Sequence, residues 1–186
     1  MRETQVNLVE QENDIIYVKG KEHVLNILYK TITALEYLFQ KTQYDFVIRS
    51  NISTIIHIPK LIQYLHTIPK TGIYTSSQFL NLQWLDPRAG IHNTSLFGTI
   101  YASGISITLS NDTVKYLINN TDKLRHDIVD DVSIGLFFQT YNPTILNEGK
   151  QYMSSNLYTN AVTKDTNIND YIFFRNNLAI EWLIFK

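Results

Sequence analysis

The chain has 186 residues, a net charge of −1 and no cysteine. This length suits one domain, which buries about 70% of the surface of its unfolded chain and folds without a disulfide or a structural metal. The lack of cysteine excludes disulfides, thiolate metal sites and a cysteine nucleophile, and the near-zero charge gives no global field that attracts nucleic acid or anionic lipid.

Hydropathy and composition bear on location. The sequence contains no run of about 18 apolar residues, the minimum for a membrane span, and its first residues are too polar for a signal peptide. We therefore expect a cytoplasmic protein without a membrane span. Asparagine and isoleucine are abundant, which indicates codon bias from an AT-rich genome, and Asn-x-Ser/Thr triplets then arise by chance. Four such triplets are attributed to chance, beginning at Asn51, Asn93, Asn111 and Asn119.

The first third of the chain alternates strand and helix patterns. Residues 14–19 predict a short strand that Gly20 closes. Residues 21–40 predict a long helix, because apolar side chains recur there at three- and four-residue spacing. Residues 44–49 form a nearly continuous apolar run, which is typical of a strand inside a parallel sheet.

The remaining elements continue this alternation. Pro59 predicts the first turn of a helix that ends near His66. Residues 76–98 and 141–169 show no clear period. The other predicted elements are strands at 73–75, 99–109 (broken by Gly104) and 171–175, and helices at 111–119, 132–138 and 178–185. Strands that alternate with helices predict an α/β domain in layers.

Asp130 and Asp131 are the first candidates for chemistry. They precede the apolar run Val132-Ser133-Ile134-Gly135. One interpretation is that one aspartate caps the helix and the other is solvated. A glycosidase-type pair is unfavourable, because such carboxylates flank the scissile bond about 5–9.5 Å apart, whereas adjacent side chains diverge. An active aspartate here would act alone, as a general base or a hydrogen-bond acceptor.

Two polar segments at strand positions are further candidates. Arg49-Ser50-Asn51-Ile52-Ser53 follows an apolar strand, and ligands of open α/β sheets bind beyond the carboxyl ends of strands. Ser103-Gly104 interrupts a later strand, where small residues let a ligand or a backbone approach closely. The alternatives are capping by Asn51 and Ser53, and a plain bulge at Gly104.

Other site types leave no signature. The sequence lacks a phosphate-binding glycine-rich loop and a Gly-x-Ser-x-Gly elbow, and its tyrosines are too dispersed for a nucleic-acid stacking platform. The histidines form no HxxxH-type metal pair. We interpret them as surface or supporting residues: His23, His57, His66, His92 and His126.

Four landmarks occur in a fixed order over residues 10–140. They are Asn13-Asp14-Ile15-Ile16 with Lys30-Thr31, Phe46-Val47-Ile48-Arg49-Ser50-Asn51-Ile52-Ser53, Ser103-Gly104-Ile105-Ser106 with the following strand, and Asp130-Asp131-Val132-Ser133-Ile134-Gly135. In this order the chain resembles the β-1,3-galactosyltransferase and fringe-like glycosyltransferases. The corresponding family motifs are a Gly-Asp-Ile-like strand with Lys-Thr, a strand ending in Asp-x-Asp, a Ser-Gly-Gly/Ala-Gly segment, and Glu-Asp-Val-x-apolar-Gly.

The resemblance implies a fold and an activity. The fold is GT-A-like and Rossmann-like, a mixed sheet flanked by helices in one domain over residues 1–186, with the first nucleotide-binding strand truncated. The activity is inverting transfer of a sugar from a nucleotide-sugar donor to a hydroxyl group of a glycan or glycoprotein acceptor. The resemblance makes Asp131 the base and Asp130 a supporting acceptor. The alternative is a non-catalytic relative that binds a sugar or a protein.

The sequence departs from the family's motifs at positions that bind the nucleotide-sugar donor in the family. Asn51-Ile52-Ser53 stands where the family's Asp-x-Asp holds Mn²⁺ or Mg²⁺, and Phe173-Phe174-Arg175 occupies the stretch of the family's late histidine ligand. Neutral Asn and Ser are weak partners for a hard cation, so we assign no metal ligand and leave the use of Mn²⁺ or Mg²⁺ open. The donor-binding residues implied are Arg49, Asn51, Ser53, Ser103, Gly104 and Arg175.

Overall fold

A computed structural model of the chain describes the backbone of residues 9–141, 145–146, 153–155 and 172–175, and the side chains of 9–141 and 172–173. Its described α-helices are α1 (Ile27–Lys41), α2 (Ile58–Leu65), α3 (Asn111–Ile118) and α4 (Asp130–Tyr141). Its described strands are β1 (Val9–Glu12), β2 (Ile15–Val18), β3 (Phe46–Arg49), β4 (Thr54–Ile56), β5 (Tyr74–Thr75), β6 (Phe79–Asn81), β7 (Ile100–Ala102), β8 (Ile107–Ser110), β9 (Ile145–Leu146), β10 (Met153–Ser155) and β11 (Phe173–Arg175).

The central sheet is mixed, in the order β3-β8-β5-β9. Strand β8 runs antiparallel to both β3 and β5, and β9 runs parallel to β5. A second sheet has the order β10-β11-β4, and β6 pairs with β7 in an antiparallel ribbon. The described chain is therefore a mixed α/β structure, as the alternation of patterns predicted.

The main core lies between the central sheet and helices α1, α3 and α4. Leu28 and Ile32 of α1 are buried there with Phe137 and Phe138 of α4 and with Tyr74 of β5. Helix α4 is buried on several sides, since seven of its twelve residues are inaccessible, which fixes its first turn relative to the sheet.

The N-terminal region differs from its prediction. The predicted strand at 14–19 is present as β2, but its antiparallel partner β1 was missed. Asn13 makes the turn between them with a φ of 55°, in the left-handed region that asparagine tolerates. The helix predicted from residue 21 begins at Ile27, after a 3₁₀ turn that His23 caps by accepting a hydrogen bond from the Leu25 amide.

Two strand predictions need correction. The apolar run of β3 predicted a parallel neighbour, but its described partner β8 is antiparallel. The prediction failed because burial alone produces such a run, and helices cover this sheet whatever the direction of its strands. The strand predicted at 99–109 is two strands in different sheets, since the chain turns at Gly104. The irregular stretch 76–98 also contains β6 and two 3₁₀ turns, at Pro87–Ala89 and Thr94–Leu96.

The helices predicted at Pro59 and after Ser110 are confirmed as α2 and α3. The Ser110 hydroxyl does not cap α3. It accepts a hydrogen bond from the Ile73 amide and donates one to Asp112. The strand predicted at 171–175 is present as β11, and the helix predicted at 178–185 lies outside the described residues. Over the described part of the chain, no helix combines the length and the apolar character that crossing a bilayer requires.

Candidate functional site

Asp130 and Asp131 form the first turn of α4, where the helix dipole favours negative charge. A neighbouring loop holds the segment before this turn. The Val129 amide donates to the Ala89 carbonyl at 2.8 Å, and Gly90 has a φ of +80°. A Cβ atom on Gly90 would lie 2.0 Å from the Asp127 carbonyl oxygen, so only glycine permits this approach.

A second close approach fixes α4 against β7. A Cβ atom on Gly135 would lie 2.2 Å from the Tyr101 Cβ and 2.9 Å from the Ile100 carbonyl oxygen. The Ile100 amide also donates to the Gln139 side chain at 2.8 Å, one turn further along α4. The glycine that ends the Asp-Asp-Val-Ser-Ile-Gly segment thus positions the aspartates that begin it.

Arg49, at the end of β3, joins this turn to two other segments. Its Nη2 atom lies 2.6 Å from Oδ2 of Asp130, whose side chain is only 1% exposed. Its Nη1 atom donates to the Gly104 carbonyl at 2.6 Å and to Oδ1 of Asn51 at 2.8 Å. A buried carboxylate needs such a partner, because an unpaired charge inside a protein is strongly destabilising.

The Gly104 peptide connects Arg49 with Asp131. Its carbonyl accepts from Arg49, and its amide donates to Oδ2 of Asp131 at 3.3 Å. A Cβ atom on Gly104 would lie 2.5 Å from Nη1 of Arg49, so a side chain there would displace the guanidinium. Oδ1 of Asp131 accepts from the Val132 amide at 2.9 Å, and together these contacts orient the carboxylate.

The two aspartates differ in the charges around them. Burial raises the pKa of Asp130, and the Arg49 guanidinium opposes this rise by favouring the charged form. Burial, together with the negative charge of Asp130, raises the pKa of Asp131 to about 6. Asp131 remains partly exposed to solvent. The site therefore contains one buried, ion-paired carboxylate and one partly buried carboxylate with a pKa of about 6.

The structure thus brings together five of the eight site residues named from the sequence: Arg49, Asn51, Gly104, Asp130 and Asp131. Ser103 is buried next to Gly104, and its amide donates to the Gln78 carbonyl. Ser53 is partly buried in the turn between Asn51 and β4. Arg175 lies opposite Thr54 in the β4–β11 pair, and its side chain is outside the described part.

A groove adjoins this cluster, and sequence reasoning missed it. It has a volume of about 620 Å³ and lies between β2, α1 and the end of β3. Apolar residues line much of it, and its polar or aromatic lining consists of Tyr17, Lys30, Thr31, Arg49, Ser50 and Asn51. The available signal was Lys30-Thr31, two partly buried polar residues on the helix that carries the apolar stripe. Arg49 is common to the groove and the aspartate cluster.

The turn Asn51-Ile52-Ser53 does not fit a divalent cation. Oδ1 of Asn51 already faces the Arg49 guanidinium, so a cation bound there would lie beside a fixed positive charge. Ile52 is fully exposed and offers no side-chain ligand. Among the described residues, no three His, Asp or Glu side chains form a cluster that could hold a metal ion.

Comparison of the sequence with known proteins assigns the chain to no family. No protein-family model matches the chain, and no curated protein matches it.

Proposed function

We propose that the chain is an inverting glycosyltransferase of GT-A type, which transfers a sugar from a nucleotide-sugar donor to a hydroxyl group of a glycan or glycoprotein. The observation that carries the proposal is the convergence of Arg49, Gly104 and Asp131, from three distant segments, beside an open groove. Each segment contains one of the landmarks in which the sequence resembles the β-1,3-galactosyltransferase and fringe-like enzymes.

Asp131 is the proposed base. Its carboxylate takes the proton of the acceptor hydroxyl, and the oxygen then forms a bond to the anomeric carbon. The bond from that carbon to the diphosphate oxygen breaks on the opposite face, and the nucleoside diphosphate leaves with the electron pair. A pKa of about 6 suits this role, because Asp131 is then mostly ionised at neutral pH yet basic enough to accept a proton.

Arg49 and Asp130 support that base. The buried ion pair fixes the position of Asp130 and places its charge next to Asp131, which raises the pKa of Asp131. Asp130 is therefore proposed as a positioning residue rather than as a second base. Gly104 is proposed to act in the same way, through its peptide group.

The donor is proposed to occupy the groove, with its diphosphate at the end where Arg49 and Asn51 lie. Arg49 supplies positive charge for phosphate oxygens, and Lys30 supplies a second charge when it exchanges its exposed partner Glu22 for phosphate. Ser53, Ser103 and Arg175 remain proposed donor contacts. Because the Asn51 turn does not fit a divalent cation, no step of this mechanism is assigned to Mn²⁺ or Mg²⁺.

The mixed order of the central sheet supports the GT-A proposal, since β8 runs antiparallel between β3 and β5. Such a sheet, flanked by helices, is compatible with a GT-A-like, Rossmann-like domain that contains the whole chain. A cytoplasmic location is part of the same proposal.

One observation favours a second candidate, a non-catalytic module that binds a sugar or a protein. Arg49 already contacts Asn51, Gly104 and Asp130, so a diphosphate would have to compete for its donors. A binding module would keep the groove and the cluster as structure, and its function would not depend on the acid–base chemistry of Asp131.

A thermal-shift panel tests the proposal. Nucleoside diphosphates and nucleotide sugars are added to the full chain with and without Mn²⁺, and we expect at least one of them to raise the melting temperature without the metal. No shift with any member of the panel contradicts donor binding. A shift that requires Mn²⁺ contradicts the metal-free donor site. Ligand binding without donor turnover, equal in wild type and Asp131→Asn, supports the binding module instead.

A further inference from the structure

Arg49 belongs to two places at once, because it lines the groove and is also the counter-charge of the two aspartates. Its Nη2 atom faces Asp130, and its Nη1 atom donates to Gly104 and Asn51. The position that a Cβ atom on Gly104 would take is 2.5 Å from Nη1 of Arg49 and 3.4 Å from Oδ2 of Asp131. Both carboxylates therefore lie within the roughly 4–6 Å over which one charge shifts the pKa of another group.

The charges at this site do not balance. When both aspartates are ionised, two negative charges share the guanidinium of Arg49. Lys30, which also lines the groove, is paired with Glu22. An anionic ligand at the Arg49 end of the groove adds further negative charge to the same guanidinium. Because like charges at close range disfavour ionisation, such a ligand favours a proton on the aspartate pair.

The ionisable neighbours of Asp131 come from four elements. Asp130 precedes it on α4, Arg49 extends from β3, and Tyr74 of β5 lies near the pair together with Tyr101 of β7. Tyrosines ordinarily titrate near pH 10, and burial raises the pKa of Tyr74 still further. Arginine keeps its charge at any pH that proteins tolerate. The aspartates are therefore the members of this cluster that take up or release a proton near pH 6.

We propose that the anionic donor and a proton bind to this site together, because negative charge placed at Arg49 draws a proton onto the Asp130–Asp131 pair. The inference rests on the proposed function, since it takes the diphosphate of the donor as the anion at Arg49. Protonation of the pair leaves more of the guanidinium's charge for phosphate oxygens, which resolves the competition between the diphosphate and Asp130.

This coupling gives the donor a part in activating the base. A carboxylate with a higher proton affinity is a stronger general base, and a general base acts best when its pKa lies near the working pH. Donor binding thus raises the pKa of Asp131 from about 6 toward neutral pH. After transfer, Asp131 holds the proton of the acceptor hydroxyl beside the nucleoside diphosphate. Loss of that proton to water restores a negative charge next to Arg49 and favours release of the product.

The direction of the pH effect follows from this proton uptake. A ligand that raises the proton affinity of a group binds more tightly when that group is protonated. Donor affinity should therefore be highest below about pH 5 and should fall as the pH rises through 6. We expect binding to be about tenfold weaker at pH 8 than at pH 5, because a charge about 10 Å away changes an equilibrium by roughly that factor in such sites.

Isothermal titration calorimetry of the full chain tests the coupling. The probe is a nucleotide sugar, because its diphosphate diester keeps its charge from about pH 5 to 8, whereas a terminal phosphate titrates near pH 6. Titrations at about pH 6.5 in two buffers with different ionisation enthalpies count the protons that bind with the ligand. We expect an uptake of roughly half a proton per ligand. Binding with no uptake, or with release, overturns the inference and leaves the donor site standing. Absence of binding by every nucleotide sugar overturns both proposals.

Paired variants assign the proton. Asp131→Asn should still bind the nucleotide sugar, but without proton uptake and with nearly constant affinity from about pH 5 to 8, because only one carboxylate then shares Arg49. Asp127→Asn is the matched control and should keep the pH dependence of wild type, since Asp127 is exposed and paired with Arg125. A pH dependence that persists in Asp131→Asn overturns the assignment, because a histidine would then be the group that titrates. Proton uptake without donor turnover supports the coupling and contradicts the transfer reaction.

Discussion

The first turn of α4 and the turn at residues 51–53 both contact Arg49, and they differ in how many contacts hold them in place. Asp130 is buried and ion-paired, and Gly135 holds its helix against β7. The turn at 51–53 contacts Arg49 through one hydrogen bond, which the side-chain oxygen of Asn51 accepts, and its Ile52 is fully exposed. The residues that support the proposed base are therefore buried, whereas the turn that contains Asn51 lies at an exposed edge of the structure.

The largest expected effect comes from breaking the ion pair that joins the two regions. Arg49→Met should lower the free energy of unfolding by about 3–5 kcal/mol, because it leaves Asp130 buried without a counter-charge. Urea denaturation measures this loss. Adding Asp130→Asn should restore part of it, and a double variant no more stable than Arg49→Met contradicts the ion-pair account.

A smaller effect is expected where α4 meets β7. Gly135→Ala should destabilise the chain by about 3 kcal/mol, because the added methyl group overlaps Tyr101 and the Ile100 carbonyl. Thr140→Ala, at an exposed position of the same helix, is the control and should change stability by less than about 0.5 kcal/mol. Thermal and urea unfolding measure both. Equal stability of the two variants would show that the approach of α4 to β7 is looser than described.

Asp131 should make stability depend on pH. Its pKa of about 6 in the folded chain is above the value of about 3.9 expected for an unfolded aspartate, so the folded state binds more protons between these values. The stabilising contribution is complete below about pH 4 and is lost as the pH rises through 6.

The variant Asp131→Asn isolates the pH-dependent part of this contribution, because it cannot ionise, although its one amide oxygen keeps only one of the two backbone contacts to Gly104 and Val132. Its stability relative to wild type should rise by about 3 kcal/mol between pH 4 and pH 7, because the pKa shift of about two units corresponds to that free energy. Urea denaturation across this pH range provides the test, and a stability difference that does not change with pH contradicts the raised pKa.

The smallest effect is expected at the exposed edge. Asn51→Ala should cost about 1 kcal/mol or less, because Arg49 keeps its contacts to Gly104 and Asp130 and water can replace the amide. Chemical denaturation compares it with Arg49→Met. A loss as large as that of Arg49→Met would place the 51–53 turn within the stable core and remove the contrast between the two regions.

The sequence predicted those helices whose signals lie within the helix itself. Pro59 marked the start of α2, and the three- and four-residue spacing marked α1. Strand partners were not predictable in this way, since burial produces the same apolar run in β3 whether its neighbour is parallel or antiparallel. The missed strand β1 is short and mostly exposed, so it carries little hydropathic signal.

In the candidate site as well, the sequence predicted single residues but not the contacts between distant ones. The sequence supplied Asp130, Asp131, Arg49 and Gly104 as separate candidates, each with an ordinary structural alternative. It could not show that Arg49 pairs with Asp130, which is 81 residues away. Nor could it show that the Gly104 peptide connects Arg49, 55 residues before it, to Asp131, 27 residues after it. The groove depends on the β1–β2 hairpin, which was not predicted in full.

The proposal that Asp131 is a catalytic base is tested most directly by turnover of a nucleotide sugar that stabilises the chain. Asp131→Asn is compared with Asp127→Asn, the same change at an exposed aspartate paired with Arg125. We predict that Asp131→Asn lowers kcat about 10²- to 10⁴-fold while donor binding is retained, and that Asp127→Asn matches wild type. Wild-type turnover in Asp131→Asn would contradict the account.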